Sequence, residues 1–225
     1  MEEINILNLY ACLGGNRYKW DEVAKELGII LNVTAVELDP ELARMYQERF
    51  PNDNVIIGDA HAYLLHNYKE FDFIWSSPPC PSHSRMNLSQ YTRESWKPKY
   101  PDMKLYEEVI FLSTFYKGKY CIENVIPYYE PLIPAKKRHR HLYWTNFNLP
   151  NVLSERKSPD WSRIKNESEA WNKFHDYDFS KYKGKRYREV GRNLVDYEAG
   201  RTILETALGV IRKQNERQID LFETL

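Results

Sequence analysis

Residues 71–82 read Phe-Asp-Phe-Ile-Trp-Ser-Ser-Pro-Pro-Cys-Pro-Ser. The apolar residues 71–75 are typical of a buried β-strand. The prolines that follow cannot continue a central strand, because proline lacks the backbone N–H that the sheet needs and restricts the residue before it. The chain must therefore leave the sheet as a stiff loop that presents Cys80. A thiol presented in this way is a candidate nucleophile, and a buried structural cysteine is the alternative interpretation.

Strand-like and helix-like segments alternate on both sides of this strand, throughout residues 1–125. Strands are predicted at residues 4–9, 33–37, 55–57, 71–75 and 120–122. Helices are predicted at residues 20–28, 39–50 and 103–116. This alternation predicts an α/β fold with a mostly parallel sheet and helices on both faces.

Residues of types that could take part in ligand binding or catalysis follow the predicted strands. Gly14 and Gly15 come after the first strand, Glu37 ends the second, Asp59 follows the third and Glu123 follows the fifth. In parallel sheets, ligand sites lie off the carboxyl ends of the strands. A glycine turn and two acids suit an adenosyl group, with Glu37 on the ribose hydroxyls and Asp59 on the adenine amino group. A full dinucleotide fingerprint is missing, so the pattern favours S-adenosylmethionine over NAD.

A basic run, Lys-Lys-Arg-His-Arg-His, occupies residues 136–141 directly before the strand-like residues 142–144. If the run is part of a strand, Arg138 and Arg140 point to the same face. Two guanidinium groups suit a phosphate or a base carbonyl, whereas a solvated charged surface is the alternative. The histidines lack partners at metal-ligand spacing, so no metal site is predicted.

The composition favours a cytoplasmic globular protein of 225 residues, with one main domain. The three cysteines are widely spaced, no apolar run approaches membrane-span length, and the N-terminus does not resemble a signal peptide. The net charge is zero, but residues 1–75 carry 6 Lys and Arg against 13 Asp and Glu. Residues 76–225 carry 26 against 19. This asymmetry indicates a polyanionic partner on one face, an ordinary solvated surface being the alternative.

The chain resembles the cytosine-C5 DNA methyltransferases of the bacterial or phage type. Residues 10–15, Tyr-Ala-Cys-Leu-Gly-Gly, resemble the family's Phe-x-Gly-x-Gly-Gly cofactor loop. Residues 79–84, Pro-Cys-Pro-Ser-His-Ser, resemble its Pro-Cys-x-x-x-Ser nucleophile loop, and residues 123–125 are identical to its Glu-Asn-Val motif. Residues 136–140 resemble Gln-x-Arg-x-Arg, and residues 191–195 resemble the late Gly-Asn-x-Val segment. The motifs occur in the family's order.

The resemblance implies a Rossmann-like fold that binds S-adenosylmethionine and acts on a cytosine extruded from double-stranded DNA. Cys80 is expected to add to C6 of the base, while Glu123 protonates or hydrogen-bonds N3 and the exocyclic amine. Arg140, with Arg138, is expected to hold O2. Transfer of the methyl group to C5, loss of the C5 proton and elimination of Cys80 then give 5-methylcytosine.

The resemblance also assigns binding residues. Those expected to contact the cofactor are Tyr10, Ala11, Leu13, Gly14, Gly15, Glu37, Leu38, Asp59, Ala60, Pro79, Asn193 and Val195. Those expected to contact DNA are Ser84, Arg85, Arg93, Lys97, Asn124 and Lys136. A loop from Arg85 to about Lys104, which carries Arg93, Lys97 and Lys99, is expected to close over the duplex.

Three regions are predicted along the chain: a catalytic domain at residues 1–148, a recognition segment at residues 149–190, and a C-terminal segment at residues 191–225 that carries an amphipathic helix ending at Ile211. The recognition segment is shorter than is usual in the family, so specificity is either relaxed or supplied by a partner protein.

Alternatives to a DNA methyltransferase remain: a tRNA cytosine-C5 methyltransferase, and a silent DNA-binding homologue. Residues 77–79, Ser-Pro-Pro, also resemble amino-methyltransferases, but Cys80 argues against these. A restriction-modification, phage-protective or orphan enzyme fits equally.

Overall fold

Seven β-strands form one mixed sheet in the computed structural model, which describes residues 1–90, 97, 99–151, 153, 167–179, 190–191 and 193–210. The strands are β1 (Glu3–Leu9), β2 (Ile30–Glu37), β3 (Asn54–Ile57), β4 (Phe73–Ser76), β5 (Lys119–Val125), β6 (Lys136–Arg138) and β7 (His141–Thr145). Their order in the sheet is β3-β2-β1-β4-β5-β7-β6. Strands β1 to β5 run parallel, and β7 runs antiparallel between β5 and β6.

The described helices are α1 (Trp20–Leu27), α2 (Pro40–Arg49), α3 (Ala60–Asn67), α4 (Lys104–Phe115), α5 (Glu167–His175) and α6 (Tyr197–Ala207), with short 3-10 helices at Tyr68–Glu70 and Arg85–Gln90. Local sequence explains several of the boundaries. Asp39 caps α2 by accepting hydrogen bonds from two backbone N–H groups, and Pro40 fills the first turn. Gly28 ends α1 in the left-handed conformation, with φ of 67°.

Side chains of the central strands alternate between two hydrophobic layers. In β4, Phe73 and Trp75 pack with the layer that contains α1 and α6, whereas Ile74 packs with the layer that contains α3 and α4. All three are almost completely buried. The sheet is therefore covered on both faces, which leaves its carboxyl edge as the place where a ligand can enter.

The predicted α/β fold with a mostly parallel sheet is confirmed. Helix α3 was not predicted, and β2 begins at Ile30, three residues before the predicted strand. The predicted end of the last helix, Ile211, lies outside the described residues, as does most of the recognition segment. The three predicted regions stay a prediction. No helix in the described part of the chain is long and apolar enough to cross a membrane.

One sequence inference about side-chain direction is wrong. Arg138 and Arg140 were expected on one face of a strand, but β6 ends at Arg138. Because Arg138 pairs with His141, residues 139 and 140 form a two-residue turn to β7. His139 in this turn has a φ of 46°, so the alternation of a strand does not extend to Arg140.

Candidate active site

A cavity of about 650 Å³ opens at the carboxyl edge of the sheet. Its walls come from the ends of β1, β2, β4 and β5, from the start of β7 and from residues 193–195. Thirteen of the predicted site residues line it: Tyr10, Ala11, Gly15, Glu37, Leu38, Asp59, Ala60, Pro79, Cys80, Glu123, Asn124, Asn193 and Val195. The fold thus brings the predicted cofactor acids and the predicted nucleophile to one place.

The loop after β1 is tightly turned and fixed to β2. Tyr10, Cys12 and Gly14 have positive φ values of 56°, 49° and 65°. The backbone N–H of Cys12 donates to the Glu37 carboxylate over 2.8 Å, and the other carboxylate oxygen accepts from the N–H of Asp39 over 2.9 Å. Glu37 is therefore held rigidly beside the loop, with lone pairs still available on the cavity side.

A buried carboxylate fixes the ring of Tyr10. Glu108 is fully buried and accepts hydrogen bonds from the Tyr10 hydroxyl over 2.6 Å and from the Ser76 hydroxyl over 2.5 Å. His61 Nδ1 lies 3.1 Å from the same carboxylate. Burial and the charge of Glu108 raise the pKa of Tyr10 far above its usual value, so the phenol stays protonated and remains a donor. The hydrogen bond to Glu108 raises the pKa of His61.

The two predicted loop glycines serve the packing of the protein. A Cβ on Gly15 would lie 2.4 Å from the carbonyl oxygen of Val195, so Gly15 allows residues 194–195 to close over the cavity. Gly14 has a left-handed φ and packs against Tyr46 and Phe50. Gly14 and the fully buried Leu13 are not among the residues that line the cavity.

Asp59 caps the start of α3 and also lines the cavity. Its carboxylate accepts from the backbone N–H of Ala62 over 3.1 Å and lies 3.2 Å from the ammonium group of Lys104. The hydrogen bond from Ala62, followed by that from Lys104, lowers the pKa of Asp59. The helix-cap role and the cavity-lining position therefore coexist. Lys104, which sequence reasoning missed, reaches the cavity only because α4 packs beside α3.

The nucleophile loop is fixed by hydrogen bonds to its backbone. The carbonyl of Cys80 accepts from the N–H groups of His83 and Ser84, each over 3.0 Å. The side-chain amide of Asn124 donates to the carbonyl of Pro78 over 3.0 Å, which ties the loop to β5. Asn124 was predicted to bind the substrate; here it lines the cavity and also positions the loop.

Cys80 and Glu123, the predicted nucleophile and the predicted acid, both line the cavity. Glu123 is 7% exposed, at the end of β5. Burial, and then the negative charge of Glu123, raise the pKa of the partly buried Cys80 thiol. Cys80 is therefore a protonated thiol near neutral pH in the free protein.

His141 is a further cavity residue that sequence reasoning did not select. Its Nε2 lies 3.5 Å from Oε1 of Glu123. The signal that could have found it is its position at the start of β7, beside the Glu-Asn-Val strand, but the pairing of β5 with β7 is a tertiary fact.

The predicted basic residues lie elsewhere. Lys136 Nζ donates to the hydroxyl of Thr145 over 2.8 Å, and Arg138 Nη2 donates to the carbonyl of Leu149 over 3.3 Å. Arg140 is exposed in the β6–β7 turn. These three side chains are therefore not among the residues that line the cavity.

Three other predicted DNA contacts in the described part of the chain are also not among the cavity residues. Arg85 Nε donates to the carbonyl of Pro127 over 3.3 Å, and the hydroxyl of Ser84 accepts from the N–H of Met86 over 3.2 Å. Lys97 is exposed. Arg93 lies outside the described residues.

The sheet order, the tight loop after β1 and the acids at the ends of β2 and β3 define an S-adenosylmethionine-dependent methyltransferase of the Rossmann-like class. The residues fit this cofactor: Glu37 offers oxygens for ribose hydroxyls, Asp59 an acceptor for an adenine amine, and the strained loop at residues 10–15 brings backbone close to the cavity.

The chain belongs to the C-5 cytosine-specific DNA methylase family, whose sequence profile matches residues 4–126. A methyltransferase of Entamoeba histolytica, EhMeth, has a similar fold, with a TM-score of 0.59 and 9% identity over 95% of this chain and 100% of that chain. A mutant DNMT2 of Spodoptera frugiperda gives a TM-score of 0.37 and 21% identity, over 54% of this chain and 35% of that one. Comparison with curated proteins gave no significant match.

Proposed function

We propose that the protein methylates C5 of a cytosine that is extruded from double-stranded DNA, through a covalent adduct with Cys80. One observation carries the proposal: Cys80 and Glu123 line the same cavity as Glu37 and Asp59. A nucleophile for the base and the acids that suit an adenosyl group are therefore within one enclosure. Extrusion is needed because the ring atoms of a stacked base cannot reach such a cavity.

The residues divide the chemistry between them. As the sulfur of Cys80 bonds to C6, its thiol proton passes to solvent, the ring double bond moves from C5–C6 to C4–C5, and N3, whose double bond to C4 becomes single, takes a proton from Glu123. S-adenosylmethionine supplies the methyl group that C5 acquires, and the C4–N3 double bond forms again. N3 then returns its proton to Glu123, loss of the C5 proton to solvent restores the C5–C6 double bond as the bond to Cys80 breaks, and the sulfur regains a proton from solvent. The protein's part is to activate C5, since an unmodified cytosine is a poor carbon nucleophile.

The raised pKa of Cys80 has a consequence for this sequence of steps. A free thiolate beside the Glu123 carboxylate would place two negative charges in a partly buried site. Proton donation by Glu123 implies that the carboxyl group carries a proton when the base is bound, and this removes the repulsion. We infer that the thiol is activated only when the base binds, and that it is not activated in the free protein.

Two properties of the chain support DNA as the substrate. The family to which it belongs is that of the DNA methylases. The excess of Lys and Arg in residues 76–225 also suits a phosphate backbone, although an RNA would meet the same charge. Because the recognition segment is short, we further propose that the target sequence is either short or read by a partner protein.

The test is methyl transfer from labelled S-adenosylmethionine to unmethylated genomic DNA, with tRNA in parallel, followed by identification of the modified nucleoside. We expect 5-methylcytosine in DNA, and none with Cys80→Ala. The matched control is Cys121→Ala, which removes a cysteine that lies in the buried core and is not among the residues that line the cavity. Label in tRNA alone would refute the DNA assignment, and activity in Cys80→Ala would refute the covalent mechanism.

A second assay tests the adduct directly. Duplex DNA that carries 5-fluorocytosine cannot lose the substituent at C5 as a proton, so an active enzyme remains attached to it. We expect a stable protein–DNA adduct whose mass maps to Cys80. A protein that binds this DNA without forming an adduct would instead be the silent homologue.

A further inference from the structure

Groups that can carry positive charge are scarce around the candidate active site. Among the cavity-lining side chains in the described part of the chain, only Lys104 and His141 are bases. Lys104 lies against Asp59, at the part of the cavity that suits an adenine. Of these two bases, His141 is therefore the one that lies beside Glu123.

Strand pairing fixes this arrangement. In the antiparallel pair of β5 and β7, Glu123 lies opposite Tyr143 and Val125 lies opposite His141. Residues that are opposite, and residues two apart on one strand, share a face of the sheet, so His141 is the diagonal neighbour of Glu123. Their side chains are 25% and 9% exposed. The ring of Tyr143 meets the His141 ring edge-on, with centroids 6.4 Å apart, and thereby limits its rotation.

We propose that His141 is a positioning residue for Glu123: its imidazole holds the carboxyl group in the orientation that N3 of the extruded cytosine requires. This inference rests on the proposed function. The separation of 3.5 Å is longer than a normal hydrogen bond, and such contacts shorten when a substrate completes the site.

The role follows from the transfer of a proton from Glu123 to N3 and back during the reaction. When Cys80 adds to C6, the proton on Glu123 passes to N3, and a carboxylate remains where the side chain is only 9% exposed. The imidazole N–H of His141 can donate to that carboxylate and keep it in place until N3 returns the proton. Without this donor the carboxylate rotates among other orientations, and both proton transfers lose their geometry.

The test compares His141→Ala with the control His139→Asn. His139 is exposed in the β6–β7 turn, and its left-handed φ of 46° is one that Asn adopts readily. We expect His141→Ala to lower kcat by about tenfold or more, while KM for S-adenosylmethionine changes by less than about twofold. Imidazole added to the buffer should restore part of the lost activity in His141→Ala and leave the control unchanged. A kcat equal to that of the control, or a loss that imidazole does not relieve, would overturn the proposal.

A second readout separates this inference from the proposed function. If the wild-type protein methylates no nucleic acid, the proposed function fails, and nitrogen NMR of the His141 ring then decides the contact alone. We expect the ring resonances of His141 to move in Glu123→Gln and to stay in place in Asp59→Asn, which removes a cavity carboxylate that follows β3, on the other side of the sheet. Unchanged resonances in Glu123→Gln would overturn the proposed contact.

Discussion

Gly15→Ala tests how the cofactor cavity is closed. The added Cβ would lie 2.4 Å from the carbonyl oxygen of Val195 and 3.1 Å from both the Val195 nitrogen and the Leu194 Cβ. Since ordinary contact begins near 3.4 Å, residues 194–195 must move outward by about 1 Å. The position of Gly15 has no positive φ, so the effect is steric and not conformational.

The magnitude follows from two opposing effects. Forcing a methyl group into a packed contact costs about 1–3 kcal/mol. Replacing glycine lowers the entropy of the unfolded chain and returns about 0.4–1 kcal/mol. The net loss is about 1–2 kcal/mol, which corresponds to a fall in Tm of roughly 2–8 °C for a chain of this size. Because the displaced residues line the cavity, we also expect the Kd for S-adenosylmethionine to rise by about tenfold, or ~1.4 kcal/mol.

The assay is thermal unfolding with and without S-adenosylmethionine, together with calorimetric titration. Gly58→Ala is the matched control: a Cβ there meets nothing within 4 Å, although Gly58 directly precedes Asp59. If Gly15→Ala and Gly58→Ala have the same Tm and the same Kd, the close approach of residues 194–195 to the loop does not shape the cofactor site, and this reasoning is refuted.

Three further predictions concern charge. Glu123→Gln removes one cause of the raised pKa of Cys80, so alkylation of Cys80 by iodoacetamide should begin at lower pH than in the wild type. Asp53→Ala removes the buried carboxylate 3.0 Å from the buried guanidinium of Arg17, which keeps its ion pair with the exposed Asp21, and should lower the free energy of unfolding by up to about 3–5 kcal/mol in urea. His61 has a raised pKa in the folded state, so its stabilising effect is complete below about pH 6.5 and is lost as pH rises through the folded pKa; His61→Gln should therefore cost more at pH 5.5 than at pH 9.

Each of these has an outcome that contradicts it. Equal alkylation profiles in Glu123→Gln and wild type would show that the carboxylate does not influence the thiol. For the buried pair, the comparison is Glu48→Ala, which breaks an exposed contact with Arg44 and should cost less than about 1 kcal/mol; a similar cost for both variants would deny the importance of burial. A pH-independent effect of His61→Gln would mean that the histidine acts only by packing.

The meeting of Glu37, Cys80 and Glu123 in one cavity was predictable because of how parallel sheets are built. Each of them stands where the sequence changes from apolar to polar, at or just after a predicted strand, and parallel strands bring their carboxyl ends to one edge. Capping residues also predicted where α1 ends, at Gly28, and where α2 begins, at Asp39 and Pro40. Short local patterns therefore sufficed for the fold and, together with the family motifs, for thirteen of the residues that line the cavity.

The positions of the basic side chains were not predictable in this way. Side chains alternate between the two faces of a sheet only while a strand continues. The turn at His139 ends this alternation between Arg138 and Arg140. Whether a side chain then faces the cavity depends on the partner strand and on the carbonyl groups that compete for it, as the carbonyl of Leu149 does for Arg138. Neither is encoded near the residue in sequence.

The sequence by itself determined a mostly parallel α/β fold with a cysteine held in a stiff loop after a strand, because apolar periodicity and prolines act over a few residues. The resemblance of its motifs to those of a known family then indicated a methyltransferase. Only the tertiary structure decided that Gly15 makes room for residues 194–195, that Asn124 fixes the nucleophile loop, and that His141 lies beside Glu123. These contacts join segments that are distant in sequence, and their geometry is set by strand pairing and close packing, which no local pattern specifies.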